Sequence, residues 1–580
     1  MTIHTETAHT ETGGLRPAAA VPQIDRNILI QWGITAITAL LVVLPLLPVF
    51  YQAFLDRPLY DAAADFTLAN FGRLLTPEFG AVLGNTVWFA VGATVIAQLL
   101  GVVGAILVGR TDLPGRAFFG EMLLWPLFIS HLVMAFGWFT MYGPSGYVTL
   151  LVQNIVGVMP WDLYTVTGMA VVAGVAQAPL AYLYCIASAS AADPNLEDAA
   201  RSAGASPWTV LRRITLPLMR PAIIYGTIMN FVIAIEMLSI PLVFGGPVQI
   251  DLFTTYLYHQ VFMNATPDYP LVAAASFFLL VIVLLLMMLQ GRLMRNAGRF
   301  VTVGGKASRP RRFPLGRWRW VAFAGLLFYV VFGIVIVLGG LAVRSVTVLL
   351  TPLMPIWDLF TWANYEMIAG YEVYVRSIRN TILISVIGGA LGTLLITFIA
   401  LVATRSEFPF RRQLEYLAMA PRAIPGIIAG LGIFYAMGLF PPLGWLRNTI
   451  WLLIIAYIMR YLPTGFGAVA PALSQISADL DRSARTVGAD WWRTSRSILL
   501  SLLKPAMFSC FALLFIHFLK EYVTAVFLFA PGSEVIGTTM LQFWIQGDNG
   551  PVSALATIQI LITVVFVYVA RKALGVRIYG

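Results

Sequence analysis

Charge is what this sequence has least of. Only 11% of its 580 residues are Asp, Glu, Lys or Arg, against roughly a quarter in soluble domains, while 59% are hydrophobic. A chain so poor in charge cannot present an ordinary water-facing surface, and the bilayer is its natural solvent. Cysteine is nearly absent too. The two present, Cys185 and Cys510, both fall in apolar runs. That excludes a disulfide framework or a thiolate zinc site and leaves them as small buried side chains. A nucleotide loop is missing as well: Gly305-Lys306-Ala307 lacks the leading glycine and the Ser or Thr that would hold magnesium. No triad, carboxylate pair or cysteine nucleophile has a catalytic context. The chain is therefore expected to have no catalytic residues, to bind no metal or cofactor, and to be no enzyme by itself.

What is abundant is apolar sequence in runs of about 20 residues, the length a helix needs to cross the hydrocarbon core. Twelve occur, near 28–54, 85–108, 118–142, 164–190, 221–243, 270–290, 320–343, 380–403, 413–438, 448–474, 505–530 and 552–570. They predict an all-α membrane protein with about 12 transmembrane helices. Residues 1–27 are polar and read as a disordered tail, and the first apolar run is too long for a cleavable signal peptide. The net charge of +10 raises nucleic acid as a partner, but its placement argues against one. With the N-terminus inside, cytoplasmic segments hold 28 of the 37 Lys and Arg residues, and the external loops 244–269 and 531–551 hold none. That asymmetry puts both termini in the cytoplasm.

The stretch 291–319 is basic, cannot span, and divides the chain into matching halves. At a constant offset of 295, Asn85-Thr86 matches Asn380-Thr381, Arg110 matches Arg405, Pro114 Pro409, Arg116 Arg411, Pro126 Pro421 and Gly137 Gly432. The expected organisation is a tail at 1–27, a first transmembrane domain at 28–290, a cytoplasmic linker at 291–319, a second domain at 320–571 and a tail at 572–580. Two six-helix halves of one topology imply a pseudo-two-fold axis along the membrane normal with a pathway between them.

A second repeat, at offset 284, lies between the fourth and fifth spans of each half. One copy runs Leu196-Glu197-Asp198-Ala199-Ala200-Arg201-Ser202-Ala203-Gly204, the other Leu480-Asp481-Arg482-Ser483-Ala484-Arg485-Thr486-Val487-Gly488. Leu196, Ala199, Ala200 and Ala203 share one helical face. Gly204 sits where the helix must stop, and Ser206-Pro207 supplies an N-cap and a first-turn proline for the next helix. Asp490 takes the cap position in the second copy. A helix–glycine–helix loop with small residues suits the docking of another protein. A linker that merely packs on the bundle is the plainer reading, which the duplication disfavours, and the tether to spans at both ends excludes a DNA-binding helix-turn-helix.

This loop resembles the "EAA" loop of type I ABC importer permeases: Glu-Ala-Ala, three residues, Gly, and a stretch ending near Leu-Pro. Asp198-Ala199-Ala200, Gly204 and Leu216-Pro217 match it, with Asp for Glu. The second copy departs further, with Arg482-Ser483-Ala484 in place of the triplet and Ser501 in place of the proline. The resemblance covers about residues 28–571 and is to the form with two fused permease domains. Glu521-Tyr522, Phe529-Ala530-Pro531-Gly532-Ser533-Glu534 and Gly143-Pro144-Ser145-Gly146 are similar to segments of iron(III) permeases; thiamine, polyamine and phosphonate permeases are relatives.

The resemblance implies a bacterial inner-membrane permease working by alternating access. It implies two ATP-binding subunits as partners, which carry ATP and magnesium, and a periplasmic or lipid-anchored solute-binding protein. The implied ATPase-coupling residues are Asp198, Ala199, Ala200, Arg201, Gly204, Ala484, Arg485 and Gly488. Charges inside spans are costly and face a cavity or a partner. Glu236, Glu521, Arg422 and Arg460 are thus candidates to line the pathway, or else to pair and hold helices together. Lys520 is a further buried charge, and His131 and His517 read as hydrogen-bonded packing residues rather than metal ligands. Pro126, Pro421 and Pro425 are expected to bend spans. A secondary active transporter with two parallel six-helix halves is the alternative; it gives no reason for the duplicated loop.

Overall fold

The computed structural model describes residues 26–191, 194–294 and 312–573. Most of the expected tail at 1–27, the centre of the 291–319 linker and the end of the tail at 572–580 lie outside the described residues. Helices dominate, and among the described residues extended pairing is limited to three isolated bridges. Among the described residues ten helices are long and apolar enough to cross a bilayer: Arg26–Ala53, Pro77–Arg110, Val166–Ser190, Pro207–Ile235, Tyr269–Met294, Trp318–Ser345, Glu372–Arg405, Ile450–Gln475, Trp491–Lys520 and Asn549–Lys572. Two further spans, the third and ninth in order, are bent pairs, Arg116–Phe128 with His131–Val156 (106°) and Arg411–Ala423 with Gly426–Leu439 (108°).

The bends fall at Pro126, Pro421 and Pro425, where prolines were expected to bend these spans, but they exceed a kink and divide each of the runs 118–142 and 413–438 into two helices. In each, a 3-10 turn carrying a proline closes the first helix, at Trp125–Phe128 and Ala420–Ala423. A fresh N-terminus then opens the second. Ser130 caps one by accepting from the Val133 N–H at 3.1 Å, and Pro425, at an extended ψ of 143°, precedes the other. Proline removes a backbone donor, so the helical ladder breaks there at least cost. The fifth and eleventh spans also differ from expectation. They begin at Pro207 and Trp491, run through Pro221 and Pro505, and stop at Ile235 and Lys520. Short helices Ser239–Phe244 and Val523–Leu528 resume beyond those breaks.

Small residues set the packing. A Cβ at Gly101 would lie 2.4 Å from the Ala181 Cβ, so the second and fourth spans touch backbone to backbone. The first span of each half crosses to the other half. Gly137 receives Val337 of the seventh span, where a Cβ would meet the Val337 Cγ1 at 2.5 Å. Its repeat partner Gly432 receives the first span, 2.2 Å from the Pro45 carbonyl. Tyr142 and Tyr329 seal the first crossing by donating to the Phe332 and Val175 carbonyls at 2.7 and 3.2 Å. The repeated Asn-Thr pairs pin the outer loops: Thr86 and Thr381 hydroxyls accept from the Phe253 and Ile536 N–H groups at 2.8 and 2.9 Å.

Candidate functional site

The duplicated loops fold alike. Helix Pro194–Ser202 ends in a turn at Gly204, and helix Asp479–Thr486 in one at Gly488. Both glycines are left-handed, with φ of +84° and +78°. The Ala205 and Ala489 N–H groups reach back to the Ala200 and Ala484 carbonyls at 2.9 and 3.0 Å, closing each C-terminus. Ser206 and Asp490 cap the next helices by accepting from the Thr209 and Arg493 N–H groups at 3.2 and 2.7 Å.

The orientation of these helices follows from two inward-facing acids, one buried and one half-buried. Glu197 is 1% exposed and pairs with Arg110, which is fully buried at the C-terminal end of the second span; Thr215 donates to Glu197 at 2.8 Å. Asp481 pairs with Arg405 at 2.8 Å in the other half. With the acid inward, Leu196, Ala199, Ala203 and Trp208 face out, as do Leu480, Ser483 and Val487 in the second copy. Each anchored helix thus turns exposed side chains, Leu196 and Leu480 among them, away from the bundle. Asp198 pairs with Arg201 at 3.4 Å. Arg485 pairs with Glu407 at 2.6 Å and by that hydrogen bond holds the Glu407 carboxyl below its usual range. Ala484 is buried, and Ala200 half-buried.

The Arg110–Glu197 and Arg405–Asp481 clasps were not singled out from sequence. Their signal was present, since the arginines recur at offset 295 and the acids at 284. Spacing alone does not say that the two series meet.

The intramembrane charges converge where helices break. The interruptions after Phe128, Ile235 and Lys520 meet at a cavity of about 220 Å³ lined by Ser130, His131, Glu236, Arg460, Tyr461, His517, Lys520 and Glu521. The fourth break also borders it, because the Arg460 guanidinium lies where any Cβ on Gly426 would go. Arg460 pairs with Glu521 and donates to the Thr524 hydroxyl, at 3.1 and 3.0 Å. Tyr461 donates to Glu521. Lys520 crosses between halves to the Leu127 carbonyl at 2.6 Å. Three of the four pathway candidates, Glu236, Glu521 and Arg460, thus share one cavity. Arg422 stands apart, donating to the Tyr225 hydroxyl and resting on the Met229 thioether. Among the described residues no three His, Cys, Asp or Glu side chains cluster as a metal site requires.

Irregular backbone at membrane depth is tolerated only where protein buries it or a cavity is lined. Four broken helices around one polar cavity, with two matched helix–glycine–helix loops, define an integral membrane permease built of two like halves. The chain belongs to the family of binding-protein-dependent transport system inner membrane components, whose model matches residues 117–299 and again 392–577. It is an ABC importer permease in the fused two-domain form, a subunit type without catalysis of its own.

Similar proteins include a putative ferric transport system permease, FbpB 1, of Haemophilus influenzae, 26% identical over 85% of this chain and 76% of that protein. The ferric transport system permease FbpB of Actinobacillus pleuropneumoniae is 25% identical over 90% of this chain and 74% of its own. A probable ABC transporter permease of Sinorhizobium fredii is 26% identical over 90% of both. Among solved structures, a bacterial ABC transporter involved in alginate import matches 45% of this chain and 96% of its own at 17% identity and a TM-score of 0.36. So distant a likeness carries no argument.

Proposed function

We propose that this chain is the translocating subunit of an ATP-driven importer for iron(III) in a bacterial inner membrane. Its N- and C-termini lie in the cytoplasm. One separate ATPase subunit docks on each of the helices Pro194–Ser202 and Asp479–Thr486, and a solute-binding protein delivers the solute from outside. The observation that carries this reading is the continuity between each docking turn and a break at the cavity. From Pro207 a single helix runs to Ile235, beside Glu236, and from Trp491 another runs to Lys520, beside Glu521. At 1.5 Å per residue each is a rod of about 45 Å. Closure of two ATPases would swing the lower ends of both rods and move both breaks together, opening the cavity to one side and closing it to the other. The Arg460–Glu521 pair and the Lys520 bond to Leu127 would remake in each cycle. Glu236, which among the described residues forms no ion pair within 4 Å, is left to meet a solute.

Iron is favoured over other solutes by coverage. The ferric permeases match 85–90% of the chain, whereas a sulfate permease and a 2-aminoethylphosphonate permease match 33% and 26%. The test is reconstitution of the chain with its ATPase and binding protein in proteoliposomes. The expected result is ATP hydrolysis and uptake stimulated by iron(III)-loaded binding protein and not by sulfate. Stimulation by sulfate or phosphonate alone would reassign the solute. Uptake driven by an ion gradient without ATP would overturn the mechanism.

A further inference from the structure

Among the described residues the two docking loops are held differently, the first of them by the end of the linker between the halves. Residues just before the seventh span fold back on the first half. Phe313 N–H donates to the Arg110 carbonyl at 2.8 Å, and Asp112 N–H donates to the Phe313 carbonyl at 3.1 Å, a parallel bridge beside Thr111. The Asp112 carboxylate accepts from the Leu315 N–H at 2.8 Å. The Phe313 ring is buried, and the Arg201 guanidinium lies 4.4 Å from its centroid. Arg201 also reaches Glu197 at 3.7 Å and Asp198 at 3.4 Å. Arg110 therefore joins two parts: its backbone takes the linker end and its side chain holds the docking helix through Glu197.

Among the described residues the second loop makes no such contact. Arg485, the counterpart of Arg201, pairs with the exposed Glu407 of its own half. The start of the first span touches the far side of that turn, where Arg26 lies 3.6 Å from Asp490 and Asn27 accepts from the Trp492 N–H at 3.3 Å.

We propose that Phe313 is a positioning residue for the first docking loop. Its ring fixes the Arg201 guanidinium, so the end of the linker sets the pose of that loop against its ATPase. A guanidinium flat against a ring is held in direction as well as place, and the alkyl stem is ordered with it. The inference rests on the docking role of Pro194–Ser202 proposed above.

The experiment uses the full complex in proteoliposomes. Phe313→Leu keeps apolar bulk and removes the ring; Phe313→Tyr keeps the ring. Phe313→Leu should leave membrane abundance and ATPase recovery at wild-type levels. It should raise ATP consumed per solute imported by roughly threefold to tenfold, the scale of one cation–π contact. Phe313→Tyr should behave as wild type. Combined with Arg201→Met, Phe313→Leu should add nothing to the single Arg201 defect, because both remove one contact.

The proposal is overturned if Phe313→Leu leaves that ratio unchanged, if Phe313→Tyr is as impaired as Phe313→Leu, or if the two defects add. It is equally overturned if Phe313→Leu lowers abundance or ATPase recovery, since the ring would then be structural support. Failure of the docking reading itself would look different: the unaltered chain would recover no ATPase at all.

Discussion

Two kinds of residue hold each docking loop, and they fail in different ways. Gly204 and Gly488 sit at positive φ with open space around their Cα atoms. A side chain there costs on the order of 1 kcal/mol in backbone strain, which the chain can bear. Its greater effect is to project into the space where a docked ATPase would lie. Gly204→Asp should therefore leave membrane abundance normal, weaken ATPase co-purification and abolish uptake. Gly488→Asp should do the same, more mildly because that copy departs further from the family pattern. Normal co-purification and uptake in both variants would refute the docking role. Arg110 is a different case: its loss leaves the buried Glu197 carboxylate without its partner. Removing one member of a buried pair typically costs about 3–5 kcal/mol, whereas replacing both can be neutral. Arg110→Leu should lower the thermal unfolding midpoint of the purified chain, and Arg110→Leu with Glu197→Leu should restore most of it. Equal instability of the single and double variants would show that the clasp is not the anchor.

At the scale of elements, the repeated glycines and prolines mark where helices cross and where they stop. Gly137 and Gly432 are small because the first span of the opposite half crosses them, and the atoms in the way include the Val337 and Pro45 carbonyls. Backbone cannot step aside as a side chain can. Gly432→Leu and Gly137→Leu should each destabilise by about 1–3 kcal/mol, the usual cost of overpacking, read as a lower midpoint and partial loss of the assembled form in detergent. Gly339→Leu is the control: on the same seventh span, a Cβ there meets nothing within 4 Å. A midpoint for Gly339→Leu as low as that for Gly432→Leu would show that the crossing is not what selects glycine. The prolines near the bends act with caps. Pro126 alone would kink a helix, but Ser130 turns the kink into a new N-terminus, and a 106° bend results.

For the whole molecule, the charge pattern and the packing must agree on which side is which. The docking loops, the linker end and the basic segments share one face, while Tyr60, Ala265 and the Arg376–Glu534 pair lie at the other ends of the spans. Both native cysteines are buried and free, so an impermeant thiol reagent reads only an introduced thiol. Ala265→Cys should label on intact cells and Arg317→Cys only after permeabilisation. The reverse pattern would invert the topology and place the docking loops outside, where no ATP is available to a partner.

The sequence by itself determined the solvent, the number of spans, the duplication and the glycine turns. Each of these is local: a run of apolar residues crosses a bilayer whatever its neighbours do, and a left-handed turn favours glycine at its own position. It also determined that Glu236, Glu521 and Arg460 stand at exceptional positions, because charge within an apolar run is rare. Only the tertiary structure decided that those charges meet at four helix ends, that Arg422 stays apart, and that the first span of each half belongs to the other. In lipid nearly every helix face is apolar, so no periodicity marks which face meets protein. The docking helix shows the same limit in water. Its sequence permits Leu196 or Glu197 to point inward, and the choice fell to Arg110, 87 residues earlier in the chain, which buries the acid and turns the leucine out.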